Sequence, residues 1–144
     1  MIEQDTIKLL RECDAGIDMG IEAIDEVVDR VESEKLKHIL LKCRDEHEKL
    51  EGEIEQLLEK YKDEGLDGEM IAKGVSWMKT NMKMMMDNSD NTVADLMTDG
   101  CNMGVKSLNK YLNKYKAADE VSKDITKRLI NLEQELALDI RDFL

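Results

Sequence analysis

The chain has 144 residues, of which 42% are hydrophobic, and this proportion is enough for one domain with a buried core. It contains no proline and only 8 glycines, which favours long helices over sheets joined by tight turns. Its net charge of −12 repels nucleic-acid phosphates and anionic membrane surfaces, so neither is expected as a partner. We therefore predict a single all-α domain over residues 1–144.

The start of the chain and the cysteines indicate where the protein is located. Residues 1–5 have neither the basic nor the apolar region of a signal peptide, and no apolar run approaches the roughly 20 residues of a membrane span. The three cysteines are odd in number, far apart and in no CxxC pair, which indicates reduced thiols rather than a disulfide scaffold or a zinc ribbon. A cytoplasmic protein is expected.

Two long helices are predicted in the first half of the chain. The first extends from Thr6 to Val31, with Asp5 or Thr6 as its cap. The second has an apolar seam that alternates steps of four and three residues. The first seam contains Leu10, Ile17, Ile24 and Val31, and the second contains Leu36, Leu40, Cys43, His47, Leu50, Ile54, Leu57 and Tyr61. The step between the two seams breaks their phase and Ser33 is a good N-cap, so a hairpin is predicted there.

The second half predicts three more helices. A Met-rich helix extends from Ile71 to Met86, after Gly65 and Gly68 end the second helix. A turn at 88–91 and a capping box at 92–95 precede a fourth helix, whose seam ends at Tyr115, and the last helix covers 121–143. The segment 62–91 could span the whole bundle, which favours up-down-down-up order for the four long helices. Five helices in serial antiparallel order are the alternative.

Long helix pairs, one extended crossover and carboxylates at mid-height resemble the ferritin-like superfamily, as a small bacterial-type member. The resemblance implies a four-helix bundle with an extra Met-rich crossover helix. Members that bind two irons use an inward Glu from each of two helices and a Glu-x-x-His from each of the other two. In this chain Arg44 stands three residues before His47, Leu136 stands three after Glu133, and Glu22 lies opposite the apolar stripe of its helix. Iron storage and ferroxidase chemistry are therefore not expected.

His47 occupies a seam position where a bundle usually has Leu or Ile, so it should point inward. Up-down-down-up order brings Cys43, one turn before it, level with Cys101 and with Glu133 or Glu135. One interpretation is an unusual metal or redox site. The interpretation that we favour is a hydrogen bond from His47 to an acid such as Glu51, with the cysteines as core residues. The residues of the metal interpretation are His47, Cys43, Cys101, Glu51, Glu133 and Glu135.

Two glycine pairs with i, i+4 spacing lie inside predicted helices, although each such glycine costs about 1 kcal/mol relative to alanine. The pairs are Gly16 with Gly20 and Gly100 with Gly104. In up-down-down-up order the two pairs meet at one height. Close approach of the two helix backbones is the favoured explanation, and the alternative is room for a ligand or a partner helix beside Asn102.

The run 77–86 contains half of the methionines and the only tryptophan. Methionine surfaces can repack around varied partners. Met78, Met82 and Met85 are expected to cover the bundle. If Trp77 and Met84 lie outside that stripe, they form an exposed patch for a second copy of the chain or for a protein partner.

The sequence shows no nucleophile with a base, no phosphate loop and no nucleotide fingerprint, so it indicates no enzymatic activity. We expect a non-catalytic ferritin-like bundle that acts as an oligomerisation or partner-binding module. No cofactor is expected. The alternative is a degenerate metal-binding or redox bundle that uses the interior His, Cys and Glu residues, and a third hypothesis is a small-molecule pocket at the glycine pairs.

Overall fold

The computed structural model describes residues 2–61 and 89–144, and within these two ranges it contains four α-helices and no strand. The helices are α1 (Gln4–Val27), α2 (Glu34–Lys60), α3 (Asp90–Lys114) and α4 (Glu120–Ile140). Short 3₁₀ helices, Val28–Arg30 and Arg141–Phe143, follow α1 and α4. The prediction of an all-α fold is confirmed for these ranges. The predicted Met-rich helix lies outside the described residues.

Side-chain caps fix the first residues of α2, α3 and α4. The capping side chains Ser33, Ser89 and Asp119 accept hydrogen bonds from the backbone N–H groups of Leu36, Thr92 and Ser122, at 3.2, 3.4 and 2.8 Å. The hairpin predicted at Ser33 is therefore confirmed. The capping box predicted at 92–95 is wrong, because Ser89 is the cap and α3 already begins at Asp90.

The start of α1 differs from the prediction. The N-cap residue is Glu3, which makes no side-chain cap bond, so Asp5 and Thr6 lie in the first turn of the helix. Their side chains instead accept hydrogen bonds from the turn between α3 and α4. The backbone N–H of Ala117 donates to Asp5 at 3.1 Å, and that of Asp119 donates to Thr6 at 2.9 Å. The polar residues that looked like caps therefore bind the start of α1 to another part of the bundle.

The opposite end of the bundle has a matching contact. The carboxylate of Asp90, the first residue of α3, accepts hydrogen bonds from the backbone N–H groups of Glu32 and Ser33 at 2.9 Å each. The turn between α1 and α2 therefore lies beside the start of α3. Around the bundle, α1 packs against α2, α2 against α4, α4 against α3 and α3 against α1. None of the described helices contains an apolar stretch long enough to span a membrane.

Within the described residues, two clusters of apolar side chains form the core, and they lie one after the other along the bundle axis. One contains Leu10, Ile17, Leu50, Ile54, Leu108 and Leu129, and the other contains Ile24, Leu36, Leu40, Met97, Leu136 and Ile140. The predicted seam positions are buried in this core or packed against it, except Val121, which is exposed in the first turn of α4. In α2, Leu58 is buried and Leu57 only partly so, because the seam takes a step of four after Ile54. Along α2 the two clusters meet at His47.

Candidate functional site

The imidazole of His47 is held by two hydrogen bonds in the bundle interior, where only 1% of the residue is exposed. Its Nδ1 lies 2.8 Å from the backbone carbonyl oxygen of Cys43, and its Nε2 lies 2.8 Å from Oε1 of Glu133 on α4. Because a carbonyl oxygen can only accept, Nδ1 must carry a proton. A second proton lies between Nε2 and Glu133, and the pair has no net charge whichever of the two atoms holds it.

The environment of His47 favours its charged form. Burial lowers the pKa of the imidazole, but the hydrogen bonds to the Cys43 side chain and to Glu133, together with the charge of Glu133, outweigh burial and raise the pKa from 6.5 to about 11. His47 is therefore an imidazolium at neutral pH, paired with a carboxylate whose side chain is 14% exposed. We call this arrangement the His47–Glu133 pair.

The acid that binds His47 is not the one that the sequence suggested. Glu51, one turn after His47 on α2, interacts with Asp18, Asp14 and Glu55 along the seam between α1 and α2. The proposed hydrogen bond from His47 to Glu51 is therefore wrong. Glu133 replaces it because α2 and α4 are neighbours in the bundle, a contact that spacing along α2 cannot reveal.

Glu135 lies apart from the His47–Glu133 pair. It is exposed and lines a separate surface cleft between α2 and α4, together with His38 and Lys42. Its distance from the pair follows from helix geometry, because residues two apart on a helix point in different directions. The predicted helix order left open whether Glu133 or Glu135 lies level with Cys43. The structure brings only Glu133 to His47.

Cys43, His47 and Glu133 follow one another in the order of a nucleophile, a base and an orienting acid. The sulfur of Cys43 lies 3.4 Å from Nδ1 of His47. In a working triad the base nitrogen that faces the nucleophile must be free to take its proton. Here that nitrogen already donates its proton to the Cys43 carbonyl, so His47 gives Cys43 no base in this geometry. The arrangement suits holding a charge in place.

A cavity of about 50 Å³ lies beside the His47–Glu133 pair, mainly between α1 and α3. All four glycines of the two predicted pairs line it: Gly16, Gly20, Gly100 and Gly104. At roughly 10–15 Å³ per water molecule, the cavity has room for about three to five waters or for one very small ligand. The glycine pairs therefore meet at the site of the buried charge. Asn102, by contrast, is exposed and does not line the cavity.

Two of these glycines face the His47–Glu133 pair directly. A Cβ atom on Gly20 would lie 3.3 Å from both Cδ2 and Nε2 of His47, a distance that forces a neighbour to move. A Cβ atom on Gly104 would lie 3.5 Å from Oε2 of Glu133, which is an ordinary contact. The position of the imidazole therefore requires a residue without a side chain at Gly20. At Gly104 a methyl group could be accommodated.

Sulfur-containing side chains form much of the remaining cavity wall. They are Met19 from α1 and Met97, Cys101 and Met103 from α3. Cys101 is 2% exposed, and burial, the charges of Glu133 and Cys43 and a hydrogen bond to Glu133 all raise the pKa of its thiol, which is therefore protonated at neutral pH. Cys13 lies in the other core cluster, 3.2 Å from the hydroxyl of Thr126, and burial raises its pKa to about 12.

The metal interpretation of the sequence can be compared with the ligand distances. No three of Cys43, His47, Cys101 and Glu133 offer ligand atoms that all lie within 4.8 Å of one another. Among the described residues, one group meets this limit, and it consists of Asp14, Glu51 and Glu55. Burial, followed by Asp18 and the other acids, raises the pKa of Glu51 to about 8. We call Asp14, Asp18, Glu51 and Glu55 the acidic cluster.

The acidic cluster has a signal in the sequence. Its four residues form one i, i+4 pair on α1 and another on α2, beside the apolar seams. Charged residues in that position are usually solvated, so the pattern alone does not predict a cluster. Two other predicted site residues, Trp77 and Met84, lie outside the described residues.

Comparison with protein-family models, with curated proteins and with solved structures found no match to this chain.

Proposed function

We propose that this chain is a non-catalytic, ferritin-like bundle in up-down-down-up order that binds one small ligand in the cavity beside the His47–Glu133 pair. The observation that carries the proposal is the meeting of four helix glycines, a buried ion pair and a cavity at one place. The size of the cavity limits the ligand to roughly three to five non-hydrogen atoms.

Hydrogen bonds at the two ends of the bundle support the helix order. The start of α1 binds the turn between α3 and α4, and the turn between α1 and α2 binds the start of α3. These contacts favour antiparallel directions for α1 and α3. With antiparallel hairpins at α1–α2 and α3–α4, the order up-down-down-up follows.

The energetic cost of the glycines supports a binding role for the cavity. Four helix-interior glycines together cost several times about 1 kcal/mol relative to alanine. A methyl group on Gly20 would press on His47, whereas one on Gly104 would make an ordinary contact, so the position of the pair does not account for Gly104. A ligand bound in the cavity would offset the cost of such a glycine.

The position of the protons supports a binding role over catalysis. Nδ1 of His47 donates to the Cys43 carbonyl, and Nε2 shares its proton with Glu133. Neither ring nitrogen is available as a base while both bonds are made. Glu133 can still accept a hydrogen bond through its second oxygen, Oε2, so a ligand with a donor group or a positive charge is favoured over an anion.

Thermal denaturation with a set of small ions and molecules tests the proposal. Gly104→Ala puts a methyl group into the cavity at an ordinary contact distance, and Gly52→Ala is the matched control because a Cβ atom there meets nothing within 4 Å. We expect at least one compound to raise the melting temperature of the wild-type chain and of Gly52→Ala, and to raise that of Gly104→Ala less. Equal stabilisation of all three chains, or no stabilising compound, would overturn the proposal.

The oligomerisation or partner-binding module stays a prediction. Its strongest argument was the patch at Trp77 and Met84, which lies outside the described residues. In the described ranges the exposed large apolar side chains are Ile2, Leu41, Val121, Leu138 and Leu144. Two of them, Val121 and Leu138, lie on α4 but 17 residues apart, and scattered apolar residues of this kind are normal on a protein surface.

A further inference from the structure

The sulfur-containing wall of the cavity identifies one class of ligand. We propose that the cavity beside the His47–Glu133 pair binds a single Cu(I) ion through the thiolate of Cys101 and the thioethers of Met97, Met19 and Met103, all of which line it. This inference rests on the proposed function, because it names the ligand of the same cavity.

The chemistry of the wall favours copper over harder cations. Thiolate and thioether sulfurs are soft ligands, and they select Cu(I) over Mg²⁺, Ca²⁺ or Mn²⁺, which prefer oxygen. Met97 and Cys101 are four residues apart on α3, so they lie on the same face one turn apart. Met19 on α1 and Met103 on α3 line the same cavity. Methionine side chains are flexible enough to turn their sulfur atoms towards an ion.

The size and the charge of the site also suit a small cation. A volume of about 50 Å³ admits an ion without its water shell, whereas it excludes most organic cofactors. Glu133 supplies a negative charge beside the cavity, and the net charge of −12 attracts cations to the protein.

Binding requires one proton to leave. The S–H bond of Cys101 breaks, a bond from the sulfur to copper forms, and the proton passes to solvent past Glu133, while copper stays Cu(I). Copper takes the place of the thiol proton, so about one proton should be released per ion bound. The His47–Glu133 pair remains intact and keeps the carboxylate at the cavity wall.

An anaerobic titration with Cu(I) against a coloured Cu(I) chelator tests the inference. We expect the wild-type chain to keep one ion per chain, and Cys101→Ser to lower the affinity by about 100-fold. Met97→Leu should lower it by about 10-fold, and it keeps the volume of the side chain, so the test survives if Cys101→Ser fails to fold. Cys13→Ala is the matched control, because Cys13 is a buried thiol in the other core cluster, and its affinity should equal that of the wild type.

X-ray absorption of the copper-loaded wild-type chain should show sulfur ligands only. No copper retained, or wild-type affinity in Cys101→Ser and Met97→Leu, would overturn the inference. If the chain binds no copper but another compound stabilises the wild type more than Gly104→Ala, the proposed function stands and the copper assignment is wrong.

Discussion

Ionisable side chains are buried or partly buried in the bundle at two places, and these places differ in how the charge is compensated. At the His47–Glu133 pair, an imidazolium and a carboxylate from different helices share one proton at 2.8 Å. At the acidic cluster, the nearby groups on α1 and α2 are all carboxyls, and the pKa of Glu51 rises to about 8. The first place keeps its charges at neutral pH, whereas the second holds a proton instead.

The comparison shows that burial alone does not decide the ionisation of a side chain in this protein. His47 is more deeply buried than Glu51, yet it is the one that keeps its charge. The difference lies in the partner, because an opposite charge stabilises the ionised form and a like charge destabilises it. Substitutions at the two places should therefore change stability in opposite directions.

The largest effect is expected from Glu133→Ala, which leaves the buried imidazole of His47 without its carboxylate. Removing one partner of a buried ion pair costs about 3 kcal/mol, and we expect that loss in the free energy of unfolding from urea denaturation. Glu135→Ala is the control, because Glu135 is exposed on the same helix, and it should change the free energy by less than about 0.5 kcal/mol. Similar losses in the two variants would remove the distinction between the two carboxylates.

The opposite sign is expected for Glu51→Gln. Because the pKa of Glu51 is raised from 4.5 to about 8 on folding, the native state binds its proton more tightly, and the stability of the wild type falls as pH rises through that interval. The variant lacks this loss, so it should be more stable than the wild type at pH 8 by about 1.5 kcal/mol, after allowance for solvent screening of a partly exposed group.

The advantage of Glu51→Gln should disappear as the pH falls below 4.5, where the carboxyl becomes protonated in both states. Melting curves over this pH range measure it. Glu59→Gln, an exposed position on the same helix, is the control and should show no comparable pH dependence. A stability difference that does not change with pH would contradict the account of the acidic cluster.

Three glycines sharpen the comparison further. Gly52→Ala adds a methyl group that meets nothing within 4 Å, so it should stabilise the protein by about 1 kcal/mol through the helix preference of alanine. Gly104→Ala makes an ordinary contact with Glu133 and should also stabilise. Gly20→Ala should give no gain, because its methyl group would press on the imidazole of His47, which two hydrogen bonds hold in place. Equal gains at Gly20 and Gly52 would mean that the imidazole moves freely.

The smallest effect is expected at an exposed ion pair of opposite charges. Both terminal nitrogens of Arg128 donate to the carboxylate of Glu53, at 2.9 and 3.0 Å, and the pKa of Glu53 is lowered by this hydrogen bond and charge. Because water screens the pair, Arg128→Ala should cost only about 0.5 kcal/mol in urea denaturation. A loss as large as that of Glu133→Ala would show that burial adds nothing to the strength of an ion pair here.

Much of the fold could be predicted from local patterns. The seams of α1 and α2, the hairpin at Ser33 and the inward position of His47 follow from helical spacing, which depends on neighbours in sequence. The partner of His47 could not be predicted in this way, because Glu133 is 86 residues away along the chain. The cap of α3 was missed because Ser89 stands in a run of polar residues, several of which could have been the cap.

The acidic cluster could not be predicted from the sequence either. Charged residues beside an apolar seam are normally solvated, and only the close packing of α1 on α2 brings these carboxyls together. The arrangement of the glycine pairs could be predicted in part. Their spacing predicted a meeting of two helices, and the structure adds that the meeting surrounds a cavity and the His47–Glu133 pair.

The protonation of His47 tests the central claim most directly. The chain has only two histidines, so nitrogen NMR of ¹⁵N-histidine protein, with His38→Gln for assignment, follows the His47 ring alone. We expect both ring nitrogens to keep their protons from about pH 6 to about pH 9, because the pKa of His47 is about 11. Loss of a proton with a midpoint near the ordinary value of 6.5 would contradict the His47–Glu133 pair.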